Sequence, residues 1–257
     1  KSDPKLLSTY GTERRKVAQQ LINADKELSK LVATRPTTGD HNDDAQVDTA
    51  KIEAFMKRQS GFVSGTSIEY FPSYICMGQE NQHLATGYKI GQRFHSAQAT
   101  RVADGMSQHL GHLVKADGRW RIFLFGGAQD PTEISSSAYQ FVDFLANDAS
   151  SPVLKYTPKG ADVDSAIDTY AVFQQQGLSM HNLHDYIWPA KGKYGLRDYE
   201  KAFHAQIGND LYDLRGINRQ DGCVVIVRPD QHIASILPVT AHEEVFSFFD
   251  TFMIEQG

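Results

Sequence analysis

The run Trp120-Arg121-Ile122-Phe123-Leu124-Phe125 constrains the fold more than any other segment of the chain. Asp117-Gly118 before it is a tight-turn signal, and Gly126-Gly127 breaks it on the far side. An apolar, aromatic-rich run between two such breaks reads as a strand. Asp130-Pro131-Thr132-Glu133 follows at once, in the form of a capping box with proline at the first helical position. It predicts a helix with Ile134, Ala138, Phe141, Val142 and Leu145 on one face. Ile167 to Phe173 reads as a second strand. Cys223-Val224-Val225-Ile226-Val227-Arg228 is a nearly all-apolar third, and Pro229-Asp230 turns it into Gln231 to Leu237 as a hairpin. Thr240-Ala241-His242-Glu243 has the form of another capping box, before a last helix carrying Val245, Phe248, Phe249, Phe252 and Met253.

Strand, helix, strand, long insertion, strand, strand, helix is the thioredoxin arrangement, within an α/β fold class. A split ferredoxin-like unit competes with it on pattern alone. Upstream, Asp3-Pro4 reads as a helix start. Leu7, Tyr10, Val17, Ala18, Leu21, Ile22, Leu28, Leu31 and Val32 recur at helical spacing and predict one buried stripe. Arg35-Pro36-Thr37-Thr38-Gly39 ends that helix. Asp43 and Asp44 introduce a second helix running toward Gln59, with Gly61 as its stop. Gly65 to Tyr70 reads as a short strand, Pro72 to Gly91 as an irregular loop, and Arg93 to Leu113 as a mixed connector. The aromatic-rich stretch from Gly177 to Gly216 carries a short predicted helix around Leu196 to His204.

The composition excludes several classes of function. Hydrophobic residues make up 40% of the 257 and charged residues 22%, so a packed core is expected rather than disorder. A net charge of -5 steers the chain neither to nucleic acid nor to an anionic membrane. No apolar run approaches the roughly 20 residues of a membrane span. Cys76 and Cys223 are far apart and fit no CxxC pattern, which suits a reducing, cytoplasmic compartment without a disulfide framework. Lys1-Ser2-Asp3-Pro4 carries no initiator Met and leads into the first helix, which suggests a fragment of a longer protein.

Thiol chemistry on a thioredoxin fold uses cysteines where the first strand meets its helix, because the helix dipole there lowers the thiol pKa. In this chain that junction is Gly126-Gly127-Ala128-Gln129, without a thiol, and no proline lies between Pro189 and Pro229 to precede the third strand. The same glycines could cradle a phosphate. They form neither GxGxxG nor GxxxxGK[ST], so an ordinary strand-to-helix turn is the better reading. His109 with His112, and His181 with His184, share helical spacing. Zinc needs three or four convergent ligands, and neither pair has an HExxH frame or a nearby cysteine, so surface or hydrogen-bonded histidines are expected and no metal. Ser135-Ser136-Ser137 lies inside a predicted helix without a GxSxG elbow and reads as a solvated face. Glu13-Arg14-Arg15-Lys16 reads as the exposed side of the first helix rather than a phosphate site. Tyr186-Ile187-Trp188-Pro189 with Tyr194, Tyr199 and Phe203 reads equally as core covering or as a pocket or subunit contact.

Leu6-Leu7-Ser8-Thr9-Tyr10-Gly11-Thr12-Glu13-Arg14-Arg15-Lys16-Val17-Ala18 resembles the LLxTYxxERRPxA segment of the phenol hydroxylase group of flavoprotein monooxygenases, and Leu21 to Asp25 with Leu28-Ser29 continues the match. Phe62 to Tyr70 resembles the FxSGTxIxY stretch of the fungal phenol 2-monooxygenases. Ile90 to Phe94, Asp117 to Ile122 (DGRFRI), Tyr156 to Lys159 (YTPK) and Val225 to Asp230 (VVVRPD) follow in the family's order. The resemblance implies a parent enzyme that reduces FAD with NADPH and hydroxylates phenols to catechols, ortho to the hydroxyl, through a flavin hydroperoxide. It implies that residues 1–71 close the FAD and substrate domain, with two helices and a strand. Residues 72–91 then form a linker loop, and residues 92–257 a redox-inactive thioredoxin-like domain that contributes to a homodimer. The family's FAD fingerprint and its phenol-activating residues all precede this segment, so no catalytic or cofactor-binding residue carries over. Neither FAD nor NADPH is expected on this chain alone. The upstream FAD domain is its expected partner. A stand-alone, redox-inactive thioredoxin-like protein-binding module is the alternative.

Overall fold

The computed structural model of the protein describes residues 2–33 and 49–255. The predicted helix stop at Arg35 to Gly39 and the helix start at Asp43 and Asp44 lie outside the described residues. The chain divides into two compact units, residues 7–68 and residues 1–6 with 69–257.

Helix α1, Leu6–Ala33, and helix α2, Thr49–Val63, provide the regular structure of the smaller unit. The start at Asp3-Pro4 is a turn: Asp3 Oδ1 accepts from Lys5 N at 2.8 Å and α1 begins at Leu6. The stripe expected to be buried is open, with Leu7 79%, Tyr10 69% and Leu21 58% exposed. Amphipathic spacing identifies an apolar face but not what covers it. Gly61 does not end α2; its carbonyl accepts from Thr66 N and Ser67 N, and Gly65 adopts the left-handed φ of 73° that reverses the chain. This turn replaces the strand predicted from Gly65 to Tyr70, because the glycine and the flanking hydroxyls serve a helix end.

The larger unit is built on one seven-stranded sheet. Its elements in chain order are β1 Gln98–Arg101, β2 Ser107–His109, β3 Trp120–Phe125, α3 Ser137–Asn147, α4 Pro152–Tyr156 and β4 Ile167–Phe173. There follow β5 Ala190–Lys191, β6 Leu196–Arg197, β7 Ala202–Ala205, α5 Leu211–Arg215, β8 Cys223–Val227, β9 Ile233–Leu237 and α6 His242–Asp250. The sheet order is β2-β1-β7-β4-β3-β8-β9, and β5 and β6 form a separate two-stranded hairpin. Strands β3 and β4 run parallel with α3 crossing between them, β8 lies antiparallel to β3, and β9 antiparallel to β8. Those four strands with α6 make the thioredoxin motif. The mixed connector therefore contains a β1–β2 hairpin that extends the sheet.

Residues of β3 alternate between two cores, as a period-2 strand must. Trp120, Ile122 and Leu124 pack with Phe141, Leu145, Val245, Phe248 and Phe249 under the helices. Phe123 and Phe125 face the other core, with Phe94, Tyr88 and Leu110. Burying each of these aromatic or branched side chains is worth about 1.5–3 kcal/mol. The irregular segment from Pro72 to Gly91 lays Ile75, Cys76, Leu84, Ala85, Tyr88 and Ile90 on the two cores, with one short 3₁₀ turn at Gln82–Leu84. Its neighbourhood also seals the edge of β9: Met77 N donates to Ala234 O, and Gly91 N to Ile233 O, both at 2.8 Å.

Four further sequence expectations fail locally. The box at Asp130 to Glu133 starts no helix: Asp130 Oδ1 accepts from Thr132 N at 2.9 Å and Thr132 Oγ1 at 2.8 Å, closing a turn instead. Helix α3 begins at Ser137, where Ser136 Oγ caps Tyr139 N and Gln129 Oε1 accepts from Ser137 N at 2.8 Å. Ser136 is thus a buried cap, not a solvated face, and Ile134 is 72% exposed outside the helix. Thr240 supplies its carbonyl to His242 N, and α6 starts after Ala241 without a side-chain cap. The predicted helix at Leu196 to His204 is two strands, because pairing of β6 with β5 and of β7 with β1 and β4 overrides local preference.

Candidate functional site

At the strand-to-helix junction Gly126-Gly127-Ala128-Gln129 the two glycines are buried and tightly packed, while Ala128 and Gln129 are exposed. A Cβ on Gly127 would meet Gln220 O at 2.5 Å, and one on Gly126 would meet the Phe173 ring at 2.8 Å, so close backbone packing requires both glycines. Two of the four backbone N–H groups are committed: Gly126 N donates to Val172 O at 2.8 Å and Ala128 N to Gln220 O at 3.1 Å. The carbonyls are spent as well. Gln175 Nε2 lies 3.0, 3.2 and 2.9 Å from the oxygens of Gly127, Ala128 and Gln129. Tyr212 Oη lies 2.9 Å from both Gly126 O and Val172 O, and burial pushes that hydroxyl well above its ordinary pKa.

Two chemistries fail at this junction. No thiol is there: Cys223 sits inside β8, where burial pushes its pKa up, and Cys76 lies in the cover segment, 1% exposed. A dinucleotide phosphate does not fit either, because its cradle needs uncommitted N–H groups and an open helix N-terminus. Here the glycine positions are filled by protein, and α3 begins at Ser137, whose N–H is already bound.

A buried ionic hub lies at the opposite end of β3. Asp117 accepts from Arg121 at 2.6 and 2.7 Å and from Arg119 at 2.8 and 2.9 Å. Asp168 takes Lys201 Nζ at 2.6 Å, Tyr170 Oη at 2.9 Å and Arg119 Nη1 at 3.2 Å. Asp164 takes Lys191 Nζ at 2.7 Å and Lys201 Nζ at 3.1 Å, and Asp198 takes Lys191 Nζ at 3.2 Å. Arg121 and Asp168 have no exposed side-chain surface, and Lys201 is 4% exposed. Strands β3 and β4, the approach to β7 and the β5–β6 hairpin are joined through these groups.

The electrostatics of the hub are those of a lock. Burial acts to raise the Asp117 carboxyl, but hydrogen bonds from Arg121 and Arg119 outweigh it and hold the group well below the usual range. Burial likewise works against Asp164, and Lys191 and Lys201 overcome it. Burial opposes the charged form of Lys201, and Asp168 and Asp164 reverse that, so its pKa is raised. Burial, reinforced by the charge of Asp168, pushes the Tyr170 hydroxyl up. Four cations, Arg119, Arg121, Lys191 and Lys201, thus face four carboxylates, Asp117, Asp164, Asp168 and Asp198; the shifts hold Asp117, Asp164 and Lys201 in their charged forms and Tyr170 in its neutral one. The adjoining cleft of about 190 Å³ includes Gln108, His112 and Lys115 in its lining, and the Arg119, Lys191 and Lys201 that also line it are already paired with carboxylates of the hub.

The remaining sequence candidates disperse. The rings of His109 and His112 are 5.5 Å apart, and His109 Nδ1 lies 3.2 Å from Ser96 Oγ. His184 Nδ1 accepts from Tyr186 N, capping a short 3₁₀ turn, and His181 is exposed. Among the described residues no three His, Cys, Asp or Glu side chains are placed to hold a metal ion. Arg14, Arg15 and Lys16 are exposed, while Glu13 is buried. In the aromatic stretch, Ile187, Trp188 and Phe203 join the core, whereas Tyr194 is 76% exposed and Tyr199 46%. Sequence reasoning missed the hub and the Gln175 clamp. The available signals were charges inside otherwise apolar strands, Arg121 in β3 and Asp168 in β4, and the run Gln174-Gln175-Gln176 directly after β4.

Known proteins resemble the chain over nearly its whole length. A 3-hydroxybenzoate 4-monooxygenase of Comamonas testosteroni is 39% identical over 97% of this chain, and an FAD-dependent monooxygenase of Aspergillus terreus is 35% identical over 99%. A phenol 2-monooxygenase of Aspergillus fumigatus is 27% identical over 97%. The chain spans only 39%, 42% and 40% of the length of these three relatives. Among solved structures, the thioredoxin domain of a Bacteroides vulgatus thiol-disulfide oxidoreductase covers 62% of this chain and 96% of its own at 13% identity, with a TM-score of 0.37. Aklavinone-11 hydroxylase with FAD and aklavinone covers 70% of this chain and 25% of its own at 12% identity, also with a TM-score of 0.37. Among the described residues no helix is long and apolar enough to cross a membrane. Residues 68–257 match the family described as phenol hydroxylase, C-terminal dimerisation domain, and the chain belongs to that family.

Proposed function

We propose that this chain is the C-terminal, non-catalytic portion of an FAD- and NADPH-dependent aromatic hydroxylase and serves to join two copies of that enzyme. In this reading the flavin, the nicotinamide and the phenolic substrate are handled by the larger part of the protein, which performs the ortho-hydroxylation. The thioredoxin-like fold supplies a rigid platform. Residues 1–71 belong with the flavin domain, residues 72–91 link it, and residues 92–257 dimerise.

The observation that carries this reading is the junction at Gly126 to Gln129. On this fold it is the position from which chemistry would be done; it carries no thiol, and protein atoms fill the space beside both of its glycines. Relatives named as monooxygenases over the whole of this chain supply the context.

The test is a titration of FAD into the purified chain followed by flavin fluorescence, with NADPH oxidation measured in the presence of phenols. Neither tight flavin binding nor phenol-dependent turnover is expected. Stoichiometric flavin on this chain would overturn the reading.

A further inference from the structure

We propose that the β5–β6 hairpin is a preformed arm that grips a second copy of this chain. The proposal rests on the dimerisation reading above and names the surface that performs it.

The base of the arm is held rigidly. Ala190 pairs with Arg197 and Lys191 with Leu196. Lys191 is tied to Asp164 at 2.7 Å and to Asp198 at 3.2 Å, so the arm grows directly out of the buried ionic hub. Gly192 N donates to Asp162 Oδ1 at 2.8 Å, Arg197 Nη1 to Trp188 O at 2.7 Å, and Asp198 N to Pro189 O at 2.9 Å. Trp188 beneath it is 3% exposed and donates its Nε1 to Met180 O at 3.1 Å. Gly192 and Gly195 take left-handed φ values of 64° and 60°, which fix the turn at the tip.

The tip carries the opposite character. Tyr194 is 76% exposed and Leu196 69%, and Lys193 Nζ sits 4.7 Å from the centre of the Tyr194 ring. A two-stranded hairpin has little stability alone, so anchoring one this firmly while leaving its apolar side chains in water needs a reason. Aromatic anchors on a pre-ordered segment are what an interface needs, because ordering costs are already met before association.

The occupant follows from two facts. The chain belongs to a family described as a dimerisation domain, and nothing in the larger unit's own sheet pairs with the arm. Two-fold symmetry doubles the contact, since each arm meets the partner once.

The test is sedimentation equilibrium of the wild type, of Tyr194→Asp with Leu196→Asp, and of Ile207→Asp as a control. Ile207 is 84% exposed on a different loop, so it matches the chemistry without touching the arm. The double variant is expected to raise the dimer dissociation constant by about thirtyfold or more, with circular dichroism unchanged and the control at the wild-type value. As a second readout, amide exchange across residues 190–197 in the wild type is expected to speed up on dilution below that constant. A double variant that still dimerises as the wild type does, or exchange indifferent to dilution, overturns the arm while leaving dimerisation standing. A wild type that stays monomeric at every concentration overturns the dimerisation reading itself.

Discussion

Lys201 Nζ lies 2.6 Å from Asp168 Oδ1, with the lysine side chain 4% exposed and the aspartate fully shut away from solvent. A buried pair of this kind costs more to break than it is worth to make, because the orphaned charge has no water. Asp168→Ala removes three contacts at once, to Lys201, Arg119 and Tyr170, leaving Lys201 with Asp164 at 3.1 Å and Arg119 with Asp117 at 2.8 Å, and is expected to cost about 3–5 kcal/mol. Lys201→Met leaves Asp168 with Arg119 at 3.2 Å and Tyr170 at 2.9 Å, so it is expected to cost distinctly less. Urea unfolding of the two variants gives the order; a costlier Lys201→Met contradicts this account of the hub.

The hub also sets a pH window. Asp164 and Asp198 have depressed native pKa values, in each case despite burial, which acts to raise them. A depressed carboxyl stabilises above its unfolded value, roughly 3.9 for aspartate, and that contribution is lost as pH falls through the lower native value. Lys201 and Lys191 are raised although burial opposes it, so their contribution is complete below about 10.4 and is lost as pH rises through the native values. The urea midpoint is therefore expected to be level between about pH 5 and 9 and to fall on the acid side. A midpoint that rises as pH drops from about 5 to about 3 contradicts this sign.

Both thiols are sealed. Cys223 is wholly buried with its pKa pushed up, and Cys76 is 1% exposed. A thiol reagent is expected to react slowly with the native protein and to titrate two groups after unfolding. Rapid modification of the native protein contradicts the burial of both thiols.

Two glycines give opposite signs. Gly127→Ala drives a Cβ to 2.5 Å from Gln220 O and is expected to destabilise by about 1–3 kcal/mol. Gly11 lies in α1 with nothing within 4 Å of the added carbon, so Gly11→Ala is expected to stabilise its helix by roughly 0.5–1 kcal/mol. Thermal unfolding followed by circular dichroism reads both; a neutral Gly127→Ala removes the packing argument for the junction.

The strands of the thioredoxin motif were legible because their periodicity is local. Trp120 to Phe125 and Cys223 to Val227 announce themselves by composition and by the turns that bound them. The α3 start was misplaced because Asp130 and Ser136 are both good caps, and only tertiary contact with Gln129 selects the later one. Strand β7 was hidden because Ala202 to Ala205 becomes a strand through partners about a hundred and about thirty residues away, a relationship no local window contains. The hub was invisible for the same reason, since Asp164 and Lys201 are separated by 37 residues. The absence of a thiol at the junction was readable directly; the glutamine clamp that closes it was not.

The central claim is that this chain joins copies of itself and holds no flavin. Sedimentation equilibrium of the purified protein, recorded both in the ultraviolet and at the visible flavin band, tests it most directly. The account predicts a mass twice the chain's 28.7 kDa with no visible signal co-sedimenting after FAD is added. A 28.7 kDa monomer at every concentration, or flavin travelling with the protein, contradicts it.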